Sequence, residues 1–127
     1  MPKQSIRTDQ APPPIGPYHQ AVQTDHLVFI SGQIAIDPAT GRFLGGNIQE
    51  ETHQVMKNLK GILAAAGLTF SHVVKASIFV ADLGHFSTVN EIYGQYFEGE
   101  DFPARETVEV SGLPKGAQVE ISVIAAR

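Results

Sequence analysis

The segment VVKASIFVA, residues 73–81, constrains most strongly what this 127-residue chain can fold into. It is rich in β-branched residues, and it is too short and too apolar for a surface helix, so it predicts a strand buried in a sheet. Segments typical of amphipathic helices precede and follow it. The pattern therefore predicts helices packed on a sheet rather than an all-helical or an all-β fold.

The two helices are predicted from apolar spacing and end signals. Asn47 followed by Glu50 is typical of an N-cap with its capping-box partner, and Gly67 is typical of the residue that ends a helix. The apolar face between them consists of Val55, Met56, Leu59, Ile62, Leu63 and Ala66. A second helix is predicted over residues 86–98, although Gly94 falls inside it; its apolar stripe is Phe86, Val89, Ile92, Tyr93, Tyr96 and Phe97.

Short strand-like runs occupy the first third of the chain. QAVQT at 20–24 and HLVFIS at 26–31 are followed by SGQIAID, which leads into the turn DPATGR. The Pro-rich segment APPPIGP, residues 11–17, is predicted to be an entry loop, because proline fits neither a helix interior nor a central strand. The order of elements predicts one α+β domain over residues 1–127, in which two helices cover one face of a mixed sheet of about six strands.

The last two strands, TVEV and AQVEISVIA, are predicted to form a hairpin around the turn SGLPKG. If residue 110 pairs with residue 117, Thr107 lies opposite Glu120 and Arg105 lies diagonal to Glu120, on the face away from the helices. The pattern by itself favours a cross-strand salt bridge between Arg105 and Glu120. The alternative is a site in which Arg105 binds a small carboxylate or phosphate while Glu120 orders a water or handles a proton.

Composition argues against several classes of function. Nine Lys and Arg against thirteen Asp and Glu give a net charge of −4, which attracts nucleic acid only weakly. Cysteine is absent, so disulfides and thiolate chemistry are excluded. The five histidines lack metal-ligand spacing, and no serine-hydrolase or phosphate-loop motif occurs. No signal peptide is recognised, and no run approaches the roughly 20 apolar residues of a membrane span, so a cytoplasmic protein is expected.

Taken together, the segments resemble the reactive-intermediate deaminase family, also known as the YjgF family. The matching segments are IGPYHQAV at 15–22, FISGQIAIDPATG at 29–41, NLKGILAAAGL at 58–68, FVADL at 79–83, VNEIY at 89–93 and FPARETVEVSGLPKGAQVEISVIA at 102–125. The resemblance implies a chorismate-mutase-like fold that assembles as a homotrimer, with a central barrel and clefts between subunits. A trimer fits the predicted sheet, because two helices cover one face and leave Phe79 on the other.

The resemblance also implies a reaction, the hydrolytic deamination of 2-iminobutanoate and 2-iminopropanoate to 2-oxo acids and ammonia. These reactive imines and enamines are released by pyridoxal-phosphate-dependent dehydratases, and their removal needs neither a cofactor nor a metal. In this family Arg105 matches the residue that binds the substrate carboxylate, and Glu120 matches the one that holds the attacking water. Other matched cleft positions are Tyr18, Ser31, Gly32, Asn90 and the backbone of Thr107, where the family often has cysteine.

The resemblance leaves alternatives in other classes open, because family members are also described as translation-inhibiting endoribonucleases and as holdase chaperones. The acidic composition and the lack of a basic stripe argue against the nuclease. A holdase needs an exposed apolar patch and does not need Arg105. A binding module for small carboxylates would bind 2-oxobutanoate and turn nothing over.

Overall fold

A computed structural model describes residues 2–127, which contain six strands and two α-helices. The strands are β1 (Gln4–Ile6), β2 (Ala21–Thr24), β3 (Leu27–Gln33), β4 (Val73–Val80), β5 (Ala104–Glu109) and β6 (Val119–Ala126). The helices are α1 (Ile48–Ala65) and α2 (Phe86–Gly94). The mixed α+β architecture is confirmed. The sequence did not predict β1, because three residues are too few to show an alternation.

Helix α1 begins and ends where its sequence signals predict. The Asn47 side chain accepts a hydrogen bond from the Glu50 N–H at 3.0 Å. Gly67 follows the helix with a φ of 76°, a conformation that costs glycine little. The predicted apolar face is buried in the core, and Leu59 and Ile62 are fully inaccessible. Burial of side chains of this size stabilises the fold by roughly 1.5–3 kcal/mol each.

Helix α2 is shorter than predicted, because it ends at Gly94 rather than at residue 98. Past Gly94 the N–H groups of Gln95, Tyr96 and Phe97 donate to carbonyls three residues earlier, so the chain continues in tighter turns instead of as an α-helix. Four residues of the apolar stripe are nevertheless in the core. Val89, Ile92 and Tyr93 are buried on the helix, and Phe97 is buried in the turn that follows.

The two helices leave one face of the sheet without a covering layer. Side chains of β4 and β6 alternate between a buried helix-covered face and a second face, which we call the open face. The open face carries Phe79 of β4 and Ile124 of β6, both half-buried. It also carries Phe29 and Val108, which are 39% and 41% exposed. Apolar side chains in this number distinguish the open face from an ordinary polar surface.

The predicted hairpin of β5 and β6 is wrong. The strand order is β1-β2-β3-β6-β4-β5, so β4 lies between β5 and β6. β5 is parallel to β4, because α2 carries the chain back to the end at which β4 began. Arg105 pairs with Ala76, on the helix-covered face, whereas Glu120 pairs with Phe79, on the open face. The predicted salt bridge between Arg105 and Glu120 is therefore wrong as well.

The Pro-rich segment lies between β1 and β2 as an irregular loop, as the sequence predicts. We call residues 7–20 the entry loop. Among residues 2–127, neither α1 nor α2 is both long enough and apolar enough to cross a membrane.

Candidate functional site

The predicted site residues form two groups within one chain. Tyr18, Ser31, Gly32 and Glu120 line a cavity of about 350 Å³, which we call the glutamate cavity. Asn90 and Arg105 line a second cavity of about 290 Å³, which we call the arginine cavity. Because Arg105 and Glu120 lie on different faces of the sheet, the two groups do not meet within a single chain.

Helix α2 supports the Arg105 guanidinium along one of its faces. Phe86, Asn90 and Tyr93 are spaced four and three residues apart, so they lie on the same side of the helix. Arg105 Nη1 donates a hydrogen bond to Asn90 Oδ1 at 2.7 Å. Arg105 Cζ lies 5.7 Å from the ring centroid of Phe86 and 5.1 Å from that of Tyr93. Both distances are within the range of cation–π attraction, so the side chain is held at three points.

Arg105 has no carboxylate partner in the described part of the chain. The ion pair found there joins Lys75 and Glu106, at 2.9 Å, on the open face. The hydrogen bond of Arg105 to a neutral amide leaves most of the five guanidinium N–H donors free. A guanidinium that is oriented in advance and not neutralised is suited to binding a carboxylate through two parallel hydrogen bonds.

Two buried hydroxyl groups near Arg105 have no hydrogen-bond partner among residues 2–127. They belong to Tyr93 and to Thr107, which follows Arg105 on the same face of β5. Burial raises the pKa of Tyr93 to about 12, against the opposing effect of the Arg105 charge, so this phenol stays protonated at neutral pH. Buried polar groups are normally paired. These two hydroxyls are therefore polar groups that water or a ligand would satisfy.

The Glu120 carboxylate borders the glutamate cavity and accepts no hydrogen bond from residues 2–127. Its side chain is half-buried, and this burial raises the pKa of the Glu120 carboxyl above its usual range. A carboxylate with free lone pairs and a raised pKa can hold a water molecule and accept a proton from it.

Gly32 provides the space that the Glu120 side chain occupies. The pairing of β3 with β6 shifts register between Ile30 and Gln33, which is typical of a bulge. A Cβ atom on Gly32 would lie 2.4 Å from Glu120 Oε2 and 2.8 Å from Cδ. Any side chain at position 32 would consequently have to displace the Glu120 carboxylate.

Ser31 joins β3 to the entry loop. Its hydroxyl donates to the His19 carbonyl at 2.7 Å, and its N–H donates to the Gln20 carbonyl at 2.9 Å. Both donors of Ser31 are therefore paired with carbonyls of the entry loop and are not available to a ligand. Tyr18, at the end of the loop, is 47% exposed beside the cavity.

Sequence reasoning missed the roles of Phe86 and Tyr93. Their apolar spacing predicts core packing, although Phe86 is 39% exposed. The signal that could have identified them is the polar Asn90 between them on the same helical face. No group of three His, Asp or Glu side chains in residues 2–127 is arranged to hold a metal ion.

The fold and the two cavities define a small α+β protein in which Arg105, without a carboxylate partner among residues 2–127, lines one cavity and the half-buried Glu120 lines another. Comparison with known proteins places it more closely. The family described as endoribonuclease L-PSP matches residues 8–127. The chain therefore belongs to this family, which is the reactive-intermediate deaminase or YjgF family that the sequence resembles.

The matches to individual relatives cover most of this chain and most of each relative. The chain is 50% identical over 120 residues to a mouse protein named 2-iminobutanoate/2-iminopropanoate deaminase, which covers 94% of this chain and 88% of the relative. It is 54% identical over 127 residues to protein DfrA of Myxococcus xanthus, and the match covers 98% of this chain and 96% of the relative. The crystal structure of E. coli TdcF with bound serine has a TM-score of 0.92 at 40% identity and covers 98% of both chains.

Proposed function

We propose that this protein hydrolyses reactive 2-imino acids and their enamine tautomers, such as 2-iminobutanoate and 2-iminopropanoate, to 2-oxo acids and ammonia. The observation that carries the proposal is Arg105, whose guanidinium contacts Phe86, Asn90 and Tyr93 in a cavity of about 290 Å³ and has no carboxylate partner among residues 2–127. The name of the mouse relative supports the reaction. The serine bound to E. coli TdcF supports a small ligand that carries a carboxylate.

The chemistry requires positioning and one proton acceptor. Arg105 binds the substrate carboxylate and so fixes the imine carbon. Glu120 accepts a proton from water as the water oxygen bonds to that carbon and the C=N electron pair moves to nitrogen, and Glu120 then gives this proton to the nitrogen. The carbinolamine loses ammonia as its C–N bond breaks, its hydroxyl becomes the carbonyl, and the hydroxyl proton passes to the leaving nitrogen. One imine and one water yield one 2-oxo acid and one ammonia, with no change of oxidation state.

The complete site is proposed to form between two subunits of a homotrimer. Arg105 and Glu120 lie on opposite faces of the sheet, so a second copy has to bring them together. The open face offers a contact surface, since Leu27, Phe29 and Val108 are 37%, 39% and 41% exposed in a single chain. Closed symmetric assemblies bury such a surface repeatedly.

The direct test of the proposed function is the hydrolysis of 2-iminobutanoate generated in place by a threonine dehydratase. The protein is expected to accelerate the appearance of 2-oxobutanoate and ammonia over the uncatalysed rate. If it binds 2-oxobutanoate without accelerating the reaction, a binding module replaces the enzyme. If it does neither but prevents client proteins from aggregating, the holdase function replaces both.

Mixing two inactive variants tests the shared site. Arg105→Ala and Glu120→Gln, unfolded together in equal amounts and refolded, should regain about one quarter of the wild-type sites, because random assembly pairs an intact Arg105 with an intact Glu120 at that frequency. The measurement is imine hydrolysis by the mixture, and the control is each variant refolded alone. No recovery in mixtures shown by mass spectrometry to contain mixed trimers would contradict a site shared between subunits.

Substituting Gly32 tests the position of Glu120. Gly32→Ala places a Cβ 2.4 Å from the present position of Glu120 Oε2, so the carboxylate has to move. We expect kcat to fall by roughly tenfold to a hundredfold, because a small misplacement of a catalytic group has effects of this size. Gly112→Ala is the matched control, since a Cβ there meets no atom within 4 Å. An unchanged kcat in Gly32→Ala would mean that Glu120 does not act from this position.

The proposed function does not include the endoribonuclease activity that the family description names. The net charge of −4 gives little general attraction to a polyanion. Of the residues that line the two cavities, Arg105 is the cationic one, which suits one small carboxylate better than a nucleic-acid backbone. Supply of the substrate by a pyridoxal-phosphate-dependent dehydratase and a cytoplasmic location are part of the same proposal.

A further inference from the structure

The buried carboxamide of Gln20 connects one side of the entry loop to the glutamate cavity. Gln20 is 2% exposed. Its Oε1 accepts a hydrogen bond from the Thr8 N–H at 2.8 Å. Its Nε2 donates to the carbonyls of Thr8, Ala11 and Pro12 at 3.0, 3.1 and 2.8 Å. One side chain thus holds three residues of the loop.

These contacts use the whole hydrogen-bonding capacity of the amide nitrogen. A carboxamide has two N–H donors, and three carbonyl oxygens share them here. Gln20 borders the glutamate cavity, but its side chain has no donor left for a substrate. If it contributes to the reaction, it does so through the loop that it holds.

The loop depends on this amide because it has few hydrogen bonds of its own. Prolines at positions 12, 13, 14 and 17 have no N–H to donate. The carbonyls of Ala11 and Pro12 obtain their donor from Gln20. An unpaired buried carbonyl is costly, so removing the donor favours a displaced loop.

The segment that Gln20 holds supplies one wall of the glutamate cavity. Pro12, Pro13, Ile15 and Tyr18 form this wall, and Gly32 and Glu120 of the sheet line the same cavity. The Gln20 carbonyl also accepts the N–H of Ser31, next to Gly32, at 2.9 Å. We propose that Gln20 is a positioning residue, which sets the distance between the entry-loop wall and the Glu120 side of the cavity and so determines how tightly substrate binds.

This inference rests on the proposed function, and its test separates the two. Gln20→Glu replaces the donor with a carboxylate oxygen that faces three carbonyl oxygens. We expect KM for 2-iminobutanoate to rise about tenfold while kcat stays within about threefold, the pattern of lost ground-state binding. The reason for the small change in kcat is that Arg105 and Glu120 lie on β5 and β6, whereas the hydrogen bonds of the Gln20 side chain within residues 2–127 all go to the entry loop.

A pH series adds a result that a loss of stability would not produce. In the Gln20→Glu variant, the protonated carboxyl at position 20 can donate a hydrogen bond to one of the three carbonyls, whereas the ionised carboxylate cannot. The ratio of the variant's KM to the wild-type KM should therefore fall as the pH is lowered. Hydrogen exchange at neutral pH should show a faster-exchanging Thr8 amide in the variant, because the side chain that accepts this N–H in wild type has lost its other bonds to the loop.

Gln23→Glu is the matched control. Gln23 lies on β2, its Nε2 donates to Gln4 Oε1 at 3.1 Å at the surface, and it does not line the glutamate cavity. The same change of charge there should leave KM unchanged. Gln20→Met, which removes the donor without adding a charge, replaces Gln20→Glu if the latter does not fold, and it should raise KM without the pH dependence.

The outcomes are distinct. Wild-type protein that neither hydrolyses 2-iminobutanoate nor binds 2-oxobutanoate would overturn the proposed function and the inference with it. Active wild type, together with Gln20 variants that unfold at a lower temperature but keep the wild-type KM, would overturn the inference alone. A raised KM in the Gln20 variants and not in Gln23→Glu would establish it.

Discussion

Arg105→Lys is expected to lose most of the imine hydrolysis while keeping the fold. Lysine keeps the positive charge, but its ammonium group cannot form two parallel hydrogen bonds to a carboxylate. It also has no planar group that could stack on the rings of Phe86 and Tyr93 while donating a hydrogen bond to Asn90. The loss of one charge-assisted hydrogen bond, at about 1.5–3 kcal/mol, predicts a fall in kcat/KM of roughly ten- to a hundredfold. Arg105→Ala should lose still more.

The measurement is kcat/KM for 2-iminobutanoate, with thermal unfolding to show that each variant is folded. Lys57→Ala, on the exposed side of α1, is the control for removing one positive charge. It should have the wild-type rate. Turnover by Arg105→Lys at the wild-type rate would rule out bidentate binding and leave Arg105 as a simple point charge.

Glu120→Gln is expected to lower kcat by about 10²–10⁴-fold, the usual contribution of a positioned proton acceptor. The amide keeps the size of the side chain but cannot take a proton from water. Because burial raises the pKa of Glu120 above its ordinary 4.5, the wild-type base is lost as the pH falls through this raised value. The acid limb of the kcat profile should therefore lie above pH 4.5 in wild type and be absent in the variant.

Stability provides the control for Glu120→Gln. A carboxyl whose pKa is raised in the folded state favours folding at low pH and loses this contribution as the pH rises through the raised value. A neutral amide at position 120 avoids burying a negative charge, so the variant should be at least as stable as wild type at neutral pH. A folded Glu120→Gln variant with the wild-type kcat would mean that another group holds the water and accepts its proton.

The helices show what local pattern can establish. Asn47, Gly67 and the apolar stripe between them predicted α1 because caps and 3.6-residue spacing are properties of the segment itself. The same holds for the buried strand β4. The length of α2 was less predictable, because a glycine inside a helix is tolerated or terminates it according to the packing around it.

The pairing of β5 was not a local property. The turn SGLPKG between two strand-like runs is typical of a hairpin, but β6 has both of its edges occupied by β3 and β4. This arrangement buries Val119, Ile121 and Val123 at the centre of the sheet. Arg105 is therefore on the helix-covered face at the edge, which the alternation along β5 could not reveal.

The sequence by itself determined most of the elements, the family and the residue types that the proposed chemistry needs, because caps, periodicity and motifs are carried by short segments. Only the tertiary structure decided where those residues lie. It placed Arg105 against Phe86 and Tyr93, far along the sheet order from β3, and placed Glu120 over Gly32 on the other face. The physical reason is that strand order depends on which side chains the whole core can bury, and no single strand carries that information.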